Sequence, residues 1–344
     1  MRTGVTGMHN EWGANQTSTK TKVLYIAGWG RSGSTIIDNI LGEIDGFFSG
    51  GEIHYLWERG LIEGRKCGCG LRLSECEVWS KVLELLDQKG IDKKTASQVV
   101  RWQEQSVRVR HTFKLVRSRP PSDGEALDSY VRVLGEVYSA VAQVTGARVI
   151  IDSSKRPSDG ALLRFVPGVT PYLVHLVRDP RAVSYSWRRR KAHLDRGAPT
   201  EMRQHNPFGS TSSWTVWNLA IEATRRRLDS SQTMFLRYED FVARPRASIE
   251  AIVAMVGEDA AGLPFEDDTT VRLSGNHTIS GNPSRFSTGA VTLRVDDEWT
   301  RKQSLPDRAI ATSLALPLLH RYDYPLRTRS SARGASGADQ GREG

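Results

Sequence analysis

Residues 28–35 read Gly-Trp-Gly-Arg-Ser-Gly-Ser-Thr, a composition suited to holding an anion. Gly28, Gly30 and Gly33 allow several backbone N–H groups to turn into one small concavity. The helix expected to start just after them adds roughly half a positive charge at the same place. The spacing comes close to a phosphate-cradling P-loop, in which the second glycine is followed by Lys and then Ser or Thr. Here Ser34 stands where that Lys belongs, Thr35 follows, and the cation lies earlier, at Arg31. The change disfavours ATP-dependent phosphoryl transfer and favours another phosphate-bearing donor.

Other residues able to do chemistry recur at similar places. Glu52 follows Gly50-Gly51, Lys155 follows Asp152-Ser153-Ser154, and Arg178 opens a run that reaches Ser186. Arg237-Tyr238-Glu239 follows another apolar run, and Arg285 lies in a late loop bounded by Gly281 and Gly289. The elements that must position them are legible by period. Strands are expected at 22–27, 148–152, 172–177 and 233–237, with a short extended segment at 47–53. Helices are expected at 34–42, 76–88, 95–116, from 125 to 144, at 158–166, from 180 to 191, near 211–229 and at 246–256. Strands alternating with helices imply an α/β fold, a P-loop-like three-layer domain with a central parallel sheet flanked by helices. Ligands bind such sheets beyond the carboxyl ends of the strands, where 28–35, 152–156, 178–186 and 237–240 all fall.

The 344 residues carry a formal net charge of +9, with 38% hydrophobic and 25% charged residues. A folded domain over 21–326 with disordered tails at 1–20 and 327–344 is the expectation. The basic balance suits an anionic partner. Nucleic acid is disfavoured, because the arginines sit at element ends instead of forming one basic tract interleaved with aromatics. No apolar run is long enough for a membrane span or a signal peptide, so a cytoplasmic enzyme is expected. Asn276-His277-Thr278 fits the glycosylation triplet and, without an export signal, reads as chance. Nothing in the sequence speaks to oligomeric state.

The Arg31 loop, the 178–186 segment and the step from Arg31 to Glu52 together resemble the sulfotransferases that depend on 3′-phosphoadenylyl sulfate (PAPS). The spacing is most similar to the branch acting on protein tyrosines and carbohydrates. The resemblance implies that Gly30, Arg31, Ser32, Gly33, Ser34 and Thr35 hold the 5′-phosphosulfate, and that Arg178 and Ser186 share the 3′-phosphate. It further pairs Gly51-Glu52, Lys155 and Tyr238 with that branch's site residues, and implies that Arg285 helps to close a basic loop over the nucleotide. The Arg-Lys-Gly triplet of the cytosolic branch is missing.

Sulfuryl transfer needs a cradle for the sulfonate oxygens, cations where the leaving phosphate gains charge, and a base for the incoming hydroxyl. The loop supplies the cradle, Arg31 and Lys155 the cations, and Glu52 the candidate base, although a surface pair with Arg59 is its plainer alternative. No metal is expected in the reaction: Asp152 could hold one, but Lys155 is too close. The product would be a sulfate ester and adenosine 3′,5′-bisphosphate. The alternatives are a nucleotide-dependent kinase and a nucleotide- or nucleic-acid-binding regulator without turnover. The acceptor is expected to be a small molecule or glycoconjugate, bounded by 55–145 and 191–215, with Trp57, Trp102, Trp214, Trp217, His193 and His205 as possible lining. Cys67, Cys69 and Cys76 admit three readings: metal ligands with His54 or His111, a disulfide, or ordinary loop cysteines.

Overall fold

The computed structural model describes residues 20–117, 124–190, 192–197 and 200–326. The tails expected to be disordered lie almost wholly outside the described residues, as do Pro120, Pro121 and Lys191. Along the chain, β1 (Thr21–Ala27) leads through the glycine-rich loop into α1 (Ser34–Gly42) and β2 (Phe47–Ser49). A π-helical stretch over Leu56–Ile62 precedes α2 (Trp79–Asp87), α3 (Ala96–Ser106), α4 (Thr112–Arg117) and α5 (Glu125–Thr145). Then come β3 (Val149–Lys155), α6 (Pro157–Leu162), β4 (Val169–Val177) and α7 (Pro180–Arg188). A two-strand ribbon, β5 (Ala192–His193) with β6 (Thr200–Glu201), leads to α8 (Pro207–Arg225), β7 (Thr233–Arg237), α9 (Tyr238–Ala243) and α10 (Pro245–Met255). A second ribbon, β8 (Thr270–Leu273) with β9 (Gly289–Thr292), is followed by α11 (Glu298–Lys302) and α12 (Leu305–Arg321).

The main sheet is parallel, in the order β2-β3-β1-β4-β7. Successive side chains of a strand face opposite sides, so a sheet covered on both faces needs continuous apolar strands. Val23 and Tyr25 of β1 join Val82, Val99, Val137 and Leu162 in one buried layer. Leu24 and Ile26 join Ile37, Ile40, Ile249 and Ile252 in the other. A third cluster, with Val183, Trp214, Leu318 and Tyr322, ties α7, α8 and α12 together beyond the β4 end. The chain builds β2 and β3 on one side of β1 and then crosses to β4 and β7 on the other, so the switch point of the topology lies at the end of β1.

Three readings change. The expected helix over 95–116 is broken, because the Val107 carbonyl leaves the helix and accepts hydrogen bonds from Ser158 Oγ (2.6 Å) and Arg156 Nη2 (3.2 Å). The helix expected near 211 begins at Pro207, where Asn206 Oδ1 accepts the Gly209 N–H at 2.7 Å and proline occupies the first helical position. The β8–β9 ribbon and α12 were not read at all. Leu305, Ile310 and Leu316 of α12 are exposed and Pro317 lies inside it, so it carries no clean apolar stripe.

A buried carboxyl fastens α1 to the sheet. Asp38 accepts hydrogen bonds from Ser49 Oγ (2.6 Å) and Ser153 Oγ (2.5 Å), and burial pushes its pKa up to about 7 despite those two donors. A folded pKa above the unfolded one means a contribution that is whole below pH ~4 and lost as pH rises through about 7. Asp38→Asn should therefore weaken the decline in stability between pH 5 and 8, with a gain over the wild type of roughly 2–4 kcal/mol at the alkaline end. Parallel melting curves of the two proteins across that range are the check; identical pH slopes would contradict the assignment.

Candidate functional site

At the carboxyl ends of the strands lies a cavity of ≈ 730 Å³, lined by Gly30, Arg31, Gly33, Ser34 and Thr35 together with Glu52, Lys155, Arg178, Ser186 and Tyr238. The loop takes its form from two left-handed residues, Arg31 (φ 71°) and Gly33 (φ 92°), the second acting as N-cap of α1. Ser32 turns inward and donates from Oγ to the Trp29 carbonyl at 2.7 Å. A Cβ on Gly33 would lie 2.6 Å from Cε2 of Tyr238, so glycine is required both by φ and by space. Arg31 stacks over the Trp187 ring at 4.9 Å, and its buried Nη1 has no hydrogen-bond partner. Burial and the nearby Arg189 lower its pKa from the ordinary value, the electrostatic setting an anion would relieve.

Lys155 ends β3 with a positive φ of 70° and forms an ion pair with Glu52. The Glu52 backbone N–H donates to the Ile279 carbonyl at 2.7 Å, which fixes the start of its turn. Arg59, from the π-helical stretch, reaches Glu52 Oε2 at 3.4 Å and Ser280 Oγ at 2.6 Å. Burial works to raise the Glu52 pKa, but Lys155 and Arg59 more than offset it, so the carboxyl is held below its ordinary value and is ionised at neutral pH. The pairing with Arg59 is thus real, but it lies inside the cavity, with Lys155 on the same carboxylate.

Arg178, at the end of β4, donates from Nη1 to the Arg31 carbonyl at 3.1 Å and from Nη2 to Asp296 Oδ2 at 3.0 Å. Its guanidinium stacks on Tyr238 at 4.6 Å, and its Nε is buried without a partner. The following helix is capped without Arg178: Asp179 Oδ1 accepts the Arg181 N–H at 2.9 Å and its carboxylate holds the Arg181 side chain. The Trp214 indole N–H donates to the Arg178 carbonyl at 3.0 Å, pinning the strand end from below.

Other expectations land differently. Arg285 is buried behind the cavity wall, its guanidinium bonded to the carbonyls of Thr278 (2.5 Å) and Lys66 (2.8 Å) and to Asp195 Oδ2 (3.4 Å). It is Gly281, Asn282 and Ser284 of the same loop that line the cavity. Asp152 is turned away, towards Tyr138 Oη (2.7 Å) and Ser154. Among the described residues of 76–145 none lines the cavity, because α2, α3 and α5 are spent covering the sheet. The wall comes from Tyr55, Arg59 and Arg65, and from His193, Met202 and His205. Of the four expected tryptophans only Trp217 lines it. Trp29 and Trp187 were missed, although one lies in the loop and the other follows Ser186. Cys67, Cys69 and Cys76 lie together beside His277, whereas His54 bonds Asp159 Oδ1 at 2.7 Å and His111 bonds Arg110.

Among the described residues, nine Arg or Lys side chains and two carboxylates, Glu52 and Asp296, line the cavity, an excess that fits a polyanionic ligand. Its floor depends on Gly33. Gly33→Ala should cost about 1–3 kcal/mol of stability through the strained φ and the collision with Tyr238. Thermal or urea unfolding measures this, and an unchanged midpoint would contradict the requirement for glycine here.

No curated protein matches the chain in sequence. Among solved structures, it is similar to the sulfotransferase domain from the curacin biosynthetic pathway, at 16% identity and a TM-score of 0.49 over 89% of this chain and 99% of that one. The sulfotransferase domain from the Synechococcus PCC 7002 olefin synthase is 19% identical, with a TM-score of 0.43 over 92% and 100% of the two chains. Sulfotransferase STF9 from Mycobacterium avium is 13% identical, with a TM-score of 0.45 over 90% and 79%. The sequence pattern of the sulfotransferase family runs through residues 24–262, from β1 past α10, taking in the loop, Glu52, Lys155, Arg178, Ser186 and Tyr238. This chain belongs to the sulfotransferase family.

Proposed function

We propose that the chain transfers a sulfuryl group from PAPS to a hydroxyl of a small-molecule or glycoconjugate acceptor, with Glu52 as the base. The observation that carries this reading is that Arg31 and Arg178 face one cavity and are joined by a hydrogen bond, with a buried, unpartnered nitrogen on each. Those donors and the N-terminus of α1 fit a ligand with anionic groups at both ends.

On this reading the loop amides with Ser34 and Thr35 hold the sulfonate oxygens, while Arg178 and Ser186 hold the 3′-phosphate. Glu52 takes the proton of the acceptor hydroxyl as its oxygen bonds to sulfur. The bond from sulfur to the bridging oxygen breaks, and its electrons remain on adenosine 3′,5′-bisphosphate, where Arg31 and Lys155 stabilise the charge. A phosphosulfate entering beside Lys155 competes with Glu52 for that cation. Parting the pair frees a carboxylate that is already ionised and strengthens it as a base.

Incubation of the purified chain with PAPS and a panel of hydroxylated metabolites and saccharides, followed by mass spectrometry for an added sulfuryl mass, tests the activity directly. Failure with every acceptor class, together with no binding of adenosine 3′,5′-bisphosphate, would defeat the reading. Arg178→Ala should weaken that binding roughly 10- to 100-fold, as expected for a lost hydrogen bond to a charged group. Calorimetry would show this, and an unchanged affinity would remove Arg178 from the nucleotide site. In Glu52→Gln, turnover should fall about 100-fold or more while donor affinity changes only a few-fold. A variant with full turnover would end the role of Glu52 as base.

A further inference from the structure

Outside the cavity, the described residues hold one group of side chains with the donor set of a transition-metal site. Cys67, Cys69, Cys76 and His277 place one ligand atom each within 4.8 Å of all the others. We infer that Cys67, Cys69, Cys76 and His277 bind one zinc ion in a closed, structural site that fastens the 66–79 segment to the wall of the cavity.

The donor chemistry fits. Three sulfurs and one imidazole nitrogen about 2.0–2.3 Å from a tetrahedral zinc stand roughly 3.5–3.8 Å apart, a small contraction from the positions seen. Cys76 Sγ and His277 Nδ1 are already 3.2 Å apart. That contact identifies Nδ1 as the ligating nitrogen. Nε2 of the same ring lies 3.4 Å from Glu77 Oε1, so a carboxylate stands where it can fix the tautomer from behind. On binding, the three thiols release their protons to solvent, and the four protein ligands leave no coordination position open. A disulfide is the poorer account: the cysteines are free, and any one bridge would leave the third sulfur and His277 convergent without a reason.

The backbone is built for this convergence. Lys66 and Arg72 form an antiparallel bridge that closes a tight hairpin, with the Cys67 N–H donating to the Leu71 carbonyl (2.7 Å) and the Gly70 N–H to the Cys67 carbonyl (2.9 Å). Gly68, between the first two cysteines, donates to the Thr278 carbonyl at 3.0 Å. A Cβ there would lie 2.8 Å from the Asn276 carbonyl and from Thr278 Oγ1, so only glycine lets the two segments meet. Cys76 stands just ahead of α2, and its own N–H donates to the Arg72 carbonyl at 2.9 Å. Trp79 Nε1 closes the junction with a 2.5 Å bond to the His277 carbonyl. Two residues on, Ile279 pairs with Gly51 and accepts the Glu52 N–H, so the metal would brace the turn that carries Glu52.

The test is the metal content of the full chain, a readout independent of any sulfuryl transfer. Purified without chelator, it should carry about one zinc per chain by elemental mass spectrometry. Replacement by Co²⁺ should give the thiolate-to-cobalt and d–d bands of a tetrahedral site. Chelation should lower the melting temperature and expose all three thiols to a thiol reagent, and added Zn²⁺ should reverse both. His277→Ala should lose the metal, whereas His277→Cys, which restores a fourth ligand, should keep it. Three reactive thiols in the untreated protein with no zinc taken up, or a mass lighter by two hydrogens that marks a disulfide, would overturn the inference.

Discussion

Bringing many cations to one partly enclosed space is the constraint on which the rest of this structure depends. Each loses hydration and repels its neighbours, so each needs a counter-charge or a polarisable face close by. The chain supplies the faces first. Arg31 lies over Trp187, Arg178 over Tyr238 and Arg59 over Tyr55. An aromatic face supports a guanidinium without consuming its N–H groups, which remain for a ligand. Trp29 packs edge-on against Trp217 at 4.7 Å, and Trp187 against His205 at 4.6 Å, so the faces are themselves held. Tyr238 does two jobs, supporting Arg178 and meeting the bare Cα of Gly33, and thereby sets the distance between the loop and the end of β4.

How much of this was legible follows from how far each signal travels along the chain. The parallel sheet was readable, though not its strand order, because two-sided burial leaves apolar runs such as Val23–Ala27 and Leu173–Val174. The loop was readable because its glycines and cation are adjacent. Glu52, Lys155, Arg178 and Ser186 were placed because each follows a strand directly or at a fixed step, and they do meet in one cavity. Arg59 was foreseen only as a surface partner, since nothing local shows that a π-helical turn bends it inward. Arg285 was misread for the same reason: a basic residue in a glycine-bounded loop looks free, and only the fold reveals the carbonyls of Thr278 and Lys66 that occupy it. Asp296 gave no signal, because its meaning comes wholly from Arg178 and Arg189, more than a hundred residues earlier.

The segment least like its expectation, 55–79, is also the one that contributes most unexpectedly. The helices of 76–145 were expected to build much of the acceptor wall, yet α2 covers the sheet while the stretch before it supplies Tyr55, Arg59 and Arg65 to the cavity. That stretch is anchored in the core by Leu56, Trp57, Cys67 and Leu73, and Arg59 reaches Ser280 and Glu52 from it. Its position is also fixed at the junction with 276–285, where Gly68, Cys76 and Trp79 meet Asn276, His277 and Thr278. A strong junction there serves catalysis indirectly, by keeping the cations around Glu52 in register.

The two carboxylates of the cavity sit on the cations assigned to the two ends of the donor: Glu52 on Lys155, and Asp296 on Arg178. Asp296 is also shared with Arg189, at 2.7 Å. Without ligand, these pairs keep the cations from repelling one another. On the proposed reading, the phosphate and phosphosulfate of a bound donor take over the same contacts. The donor's affinity is then the difference between two sets of charge-assisted hydrogen bonds, not the sum of one set. Such an exchange favours a ligand carrying more charge and more acceptor oxygens than the carboxylates it replaces. With Glu52 as the proposed base, the exchange also releases it at the moment a base is needed. On the proposed reading the two ends are not equivalent: displacing Asp296 only completes binding, whereas displacing Glu52 arms the site, so donor binding and readiness for the acceptor become one event.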